Sequence, residues 1–411
     1  MDRRFLATSG CAILLAFGLS ACGGGGGGSS IQPLPAPPAP GTPAPPPPPP
    51  PGPGFGTSEY QESNYAVAAN AIAAYQEGAT GAGVKIAIID TGINPALSEF
   101  AGRIDPLSRD VAATRPLNDE DGHGTAVAAI AAAAKNGVDT HGVAFDSTIV
   151  ALRADTPGSC ADTSETGGCA IEQPAVAAGI DAAVAAGVKV INLSISGEAP
   201  SADVLSAMGR AVDSGILIVI GAGFNGDLPE GVNPDPFALT PAQNFPGKII
   251  IAGSLGVDDG NGGVDLDVIA DYSNLAGTGM NSYLGALGYD VVAPDHTGEL
   301  FLWSEGNYSA PVISGAAALL AQAFPNLTGT EIAEILFESA DDLGAPGTDA
   351  IFGRGRLNIA AAFQPIGAAT VAGTSDSVSL TMNGDLPAAA GDGGQGSTGA
   401  IILDGYSRAF V

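Results

Sequence analysis

At 411 residues the chain has room for one large domain or two ordinary ones, and its 45% hydrophobic content supplies a sizeable core. It sets 14 Lys and Arg against 43 Asp and Glu, a formal charge of −29. Such a surface repels phosphate backbones and anionic headgroups, which excludes a nucleic-acid partner.

The N-terminus reads as an address. Arg3 and Arg4 precede an apolar stretch from Cys11 to Leu19, too short to span a bilayer. It ends in Leu19-Ser20-Ala21-Cys22, which resembles the lipobox of bacterial lipoproteins. The implied processing removes residues 1–21 and puts lipid on Cys22, giving the protein a membrane partner through its acyl chains. An ordinary secretory signal cut near Ala21 is the alternative. Gly23, where an Asp would retain the protein at the inner membrane, points to the outer membrane, on its periplasmic or its external face.

Residues 22–56 form a linker, with a Gly run and then a Pro/Ala tract from Pro33 to Pro53. This composition cannot bury a core and prefers polyproline II. At about 3.1 Å per residue the tract would hold the next domain roughly 65 Å from its anchor.

From Thr57 the texture changes to alternating helical and strand patterns. Tyr65 to Tyr75 is Ala-rich and reads as a helix, and Val84 to Ile89 as a buried strand. A helix is expected from His123 to Ala134, a strand from Thr148 to Leu152, and a helix from Ala175 to Ala186. Val188 to Leu193 is a second buried strand, Ser201 to Val212 a helix, and Ile216 to Ile220 a strand. A strand near Ile249 and helices at Ser309 to Phe324 and Thr330 to Ser339 complete the series. Continuous apolar strands alternating with helices predict an α/β fold with a mainly parallel sheet covered on both faces. Cys160 and Cys169 flank a Gly/Ser/Thr/Asp loop, and in an exported protein they are expected to pair. A zinc site is the poorer alternative, because no His lies between or beside them.

Three segments carry chemistry: Asp90-Thr91-Gly92, Gly122-His123-Gly124-Thr125, and Glu305-Gly306-Asn307-Tyr308-Ser309-Ala310-Pro311-Val312-Ile313-Ser314-Gly315. They resemble the D-T-G, H-G-T and G-T-S-x-A-x-P-x-V-x-G motifs of the subtilisin-like (S8) serine peptidases. The P-x-[VI]-S-G end fixes the register without a gap. The resemblance covers roughly residues 58–365 and implies a three-layer fold, a peptidase domain at 57–365 and a polypeptide substrate. It implies Asp90 as the residue that orients the imidazole, and His123 as the general base.

In that register the nucleophile position is Asn307, whose amide cannot be deprotonated by imidazole to attack a carbonyl. Ser309 is the alternative nucleophile, although two helical positions, about 200° of rotation, aim it away from the place of Asn307. Gly221-Ala222-Gly223-Phe224-Asn225-Gly226 resembles the family's A-A-G-N-x-G, whose Asn donates to the oxyanion. Ungapped, that donor position is Phe224, and Asn225 replaces it only if the loop shifts by one residue. Ile191-Asn192-Leu193-Ser194-Ile195-Ser196-Gly197 resembles the strand that pairs with extended peptides, which nominates Ser194, Ile195 and Ser196 for binding. These residues predict a peptidase homologue with an impaired site that binds extended peptides. The alternative is an active endopeptidase working through Ser309.

No cofactor and no metal are expected, and a tethered monomer is the expected state. The Gly/Ala/Ser-rich tail, 366–411, resembles the linker that joins subtilisin-like passengers of autotransporters to their barrel. It is too short to form the at least eight strands of a barrel.

Overall fold

The computed structural model describes residues 4–5, 54–161, 169–373, 377–378 and 401–410. The expected signal peptide, Cys22 and all but the end of the linker lie outside the described residues. Residues 6–54 are one unit, of which only Gly54 is described, and the remainder of the chain is the other.

The strands form where continuous apolar runs meet Gly or Asp. In chain order they are β1 (Arg4–Phe5), β2 (Lys85–Asp90), β3 (Arg109–Asp110), β4 (Thr148–Arg153), β5 (Val190–Leu193), β6 (Leu217–Gly221), β7 (Ile249–Asp258), β8 (Val264–Ile269) and β9 (Tyr283–Leu287). The main sheet runs β3-β4-β2-β5-β6-β7-β8, with β9 also paired to β7. All its pairings are parallel except that of β8 with β7. Side chains alternate between two apolar layers: Ile86 and Ile88 of β2 enter one, Ala87 and Ile89 the other. The fold is therefore a subtilisin-like α/β sandwich of three layers, helix–sheet–helix.

The helices bear out that reading. One layer holds α4 (His123–Ala132), α8 (Ser309–Ala323) and α9 (Gly329–Glu338), and the other α5 (Gln173–Ala186), α6 (Ala202–Asp213) and α7 (Pro236–Asn244). Every residue of α4 and all of α8 from Ser309 to Ala321 are buried, as expected of helices apolar on all sides. Three short N-terminal helices, α1 (Ser58–Glu62), α2 (Asn64–Ala68) and α3 (Ile72–Gln76), replace the single expected helix over 65–75. Asn70, at φ 56°, breaks the run, and left-handed backbone cannot continue a helix. The sequence reading also lacked α7, whose Pro236 and Pro241 suppress a helical expectation, and the polar β7–β8 hairpin.

Two further small sheets lie outside the main one. Strand β1 pairs with β11 (Leu300–Trp303), which pairs with β10 (Val291–Pro294). In the tail, β12 (Ala369–Val371) pairs with β13 (Ser377–Val378) and with β14 (Ile402–Leu403), and β14 pairs with β15 (Ala409–Phe410). Arg408 anchors this end. Its guanidinium is buried, bonds Asp404 and the carbonyls of Ala362 and Gln364, and lies over the rings of Phe324 and Phe410.

Cys160 and Cys169 form a disulfide. By the chain-entropy model a loop this small adds about 2.5–3 kcal/mol. Reduction is expected to lower the midpoint of urea unfolding accordingly. An unchanged midpoint would mean that the loop is equally ordered without the bond.

Candidate active site

Asp90 ends β2, where the carboxyl ends of parallel strands gather functional groups. Asp90 Oδ1 accepts from Thr91 N at 2.7 Å and lies 2.7 Å from His123 Nδ1. A carboxylate partner requires that Nδ1 carry the proton. Both side chains are buried. Burial disfavours the imidazolium, but Asp90, with Glu305 and Asp121 adding to it, overrides that effect and pushes the His123 pKa up to about 10. Glu305 in turn has its pKa raised by burial, against the pull of His123.

His123 opens α4, and the main chain fixes where that helix begins. A Cβ on Gly124 would collide with the carbonyl of Gly92, so only glycine lets α4 lie this close to the turn after β2. Asp119 ties the same junction together. Its carboxylate accepts from Thr91 Oγ1, the amides of Asp121, Gly122 and Thr125, and Thr125 Oγ1. Burial pushes its pKa up, but these donors prevail and hold it below the ordinary carboxylate value.

The loop leading into His123 is held from outside by buried charges. Arg153 of β4 donates to Asp155 Oδ1 at 2.7 Å and to the carbonyls of Pro116 and Asn118. Arg115 bridges Asp155 and Asp110 at 2.8 Å each. Arg153 and Asp155 are almost wholly buried, whereas Glu120, 3.0 Å from Arg153, keeps 54% of its side chain exposed.

Asn307 sits two residues before α8, buried to 4% exposure. A hydrogen-bond relay fixes its main chain: Ser314 Oγ donates to Asn192 Oδ1, Asn192 Nδ2 to Ser194 Oγ, and Ser194 Oγ to the Asn307 carbonyl, each at 2.9 Å. The Asn307 side chain lies against the end of β6, where a Cβ on Gly221 would collide with its Oδ1. A Cβ on Gly306 would likewise collide with the carbonyl of Gly223. The 221–224 and 305–307 segments thus interlock through two positions without side chains. Tyr308 stacks obliquely on the His123 ring at 5.3 Å between centroids and on Trp303 at 5.4 Å.

Ser309 is fully buried, and its hydroxyl lies 3.5 Å from Ser254 Oγ of β7. Phe224 is 47% exposed on the rim. Asn225 is held elsewhere: its amide donates to Asn274 Oδ1 at 2.7 Å. Ile195 and Ser196 continue from β5 half-buried, and Gly197 N donates to Asp235 Oδ1. Sequence reasoning passed over Glu305, Asp119 and Gly221. The available signals were a carboxylate two residues before Asn307, an Asp four residues before His123, and a Gly where the matched motif has Ala. His296, read as an unremarkable loop residue, has its ring against Gly122.

Chemically, the arrangement is an imidazole paired with a carboxylate and covered by an aromatic ring, and the residue ahead of α8 brings a carboxamide rather than a hydroxyl. Residues 81–355 match the subtilase family, peptidase S8. The chain is 28% identical over 303 residues to subtilisin BL of Lederbergia lenta, covering 71% of this chain and 94% of that protein. It is 27% identical over 300 residues to the subtilisin of Bacillus pumilus, covering 71% and 95%. Among solved structures, a protease from Pseudoalteromonas arctica PAMC 21717 superposes with a TM-score of 0.58 over 74% of this chain and 97% of its own. At 24% identity that likeness speaks for the fold.

Proposed function

The chain belongs to the subtilase family of S8 serine peptidases, and from that premise we propose that it is a catalytically impaired member whose cleft binds extended peptides. Asn307 takes the nucleophile's place, Asp90 and His123 persist as an unused pair, and Phe224 stands where an oxyanion donor is needed. The observation that carries this reading is the placement of Asn307 ahead of α8, with its carboxamide packed on Gly221. An amide there has no proton that His123 could remove to make a nucleophile. The burial of Ser309 against Ser254, and the tie of Asn225 to Asn274, support it against the rescues open to the sequence. As part of the same proposal, the domain hangs on a Pro-rich tether from a lipid on Cys22 at the outer membrane.

The test is to treat the full chain with a fluorophosphonate probe and to titrate it with unstructured peptides. No labelling, together with peptide binding that a cleft-blocking Ile195→Pro variant abolishes, is the expected result. Labelling that vanishes in Ser309→Ala would mean an active endopeptidase, and the proposal would fail.

A further inference from the structure

An active site of this family must offer hydrogen-bond donors to an oxyanion, and here the polarity is the reverse. Three buried acceptor oxygens of the site, Asp90 Oδ2, Asn307 Oδ1 and Glu305 Oε2, have no hydrogen-bond partner among the described residues. Asp90 and Asn307 are 1% and 4% exposed, so water does not readily satisfy them from outside. Glu305 and Asp121 both act electrostatically on the imidazole that Asp90 bonds, which places the carboxylates around one point. The Phe224 side chain brings no donor back.

Resting on the peptide-binding reading above, we infer that this cleft selects peptides carrying a primary ammonium group, a lysine side chain or a free amino terminus, seated at Asp90, Glu305 and Asn307. An ammonium has three N–H donors and no acceptor, which matches three acceptors that lack donors. Charge favours it as well. Three carboxylates face one imidazolium, and the start of α8 adds about half a positive charge, so the site remains net negative. A peptide carbonyl directed at the same place would meet oxygen, and a boronate or phosphonate would meet negative charge.

The experiment is calorimetric titration of the full chain with three heptapeptides, alanine throughout except for lysine, norleucine or glutamate at the centre, with blocked ends and at fixed salt. The lysine peptide is expected to bind at least about tenfold more tightly than the norleucine peptide, since a charge-assisted hydrogen bond is roughly twice as strong as a neutral one. The isosteric variants Glu305→Gln and Asn307→Leu should each shrink that preference. Equal affinity for lysine and norleucine would overturn the inference and leave the peptide-binding reading standing. A lysine preference unchanged in both variants would assign it to the general −29 surface and overturn the inference too. Failure of every peptide to bind would instead remove the reading beneath it.

Discussion

The variant Asn307→Ser labels with a fluorophosphonate and hydrolyses peptides slowly, and adding Phe224→Asn raises its turnover by about 10²–10³. The first change supplies a hydroxyl at the head of α8, on a main chain already fixed by Ser194. The second supplies a side-chain donor for the oxyanion. Removing Asn307 also vacates the space beside Gly221, so Gly221→Ala, which should disrupt packing in the native chain, becomes harmless in the Asn307→Ser background. The restored enzyme carries a further mark. A general base works only when neutral, so its rate rises with pH through the imidazole pKa, which lies near 10 in the native site. Glu305 contributes to that elevation after Asp90, so Glu305→Gly in the restored enzyme moves the rise to lower pH. Kinetics of the single, double and triple variants check all three points. A folded Asn307→Ser chain that neither labels nor hydrolyses would show that the missing hydroxyl is not the main defect.

Asp155→Ala destabilises the domain by about 3–5 kcal/mol, because it leaves Arg153 buried and weakens the hold on Arg115. Glu120→Ala, at the exposed end of the same network, changes stability by about 0–1 kcal/mol. The contrast separates a buried charge stranded without its partner from an ion pair screened by water. Urea unfolding followed by circular dichroism measures both. Equal midpoints for the two variants would mean that water reaches Arg153 and that the cluster does not pin the 110–121 loop.

The sheet was legible because its strands are buried on both faces and therefore read as unbroken apolar runs: Lys85–Asp90, Thr148–Arg153 and Leu217–Gly221 each fall within a residue or two of expectation. Helices α5, α6 and α8 were legible for a similar reason, being long and bounded by clear caps such as Ser201. The N-terminal helices were not, since the break at Asn70 rests on a backbone angle that an Ala-rich run does not announce. In the site, Asp90, His123 and Asn307 lie within recognisable motifs. What escaped is the part that works through space. Asp119 matters because five donors converge on it, Gly221 because of the atom it does not have, and Glu305 because folding brings its charge to bear on a histidine far back in the sequence.

The close approach of Gly124 to Gly92 has a wider implication for judging activity in chains of this kind. Main-chain contact and the Asp119 carboxylate, both indifferent to which residue stands at position 307, set the Asp90–His123 pairing. The pair therefore survives as a by-product of how α4 rests on β2, and selection for turnover is not needed to keep it. An intact acid–imidazole couple testifies to ancestry and architecture. Evidence of chemistry has to come from the two or three residues in front of α8, where a change leaves the scaffold untouched and silences the enzyme.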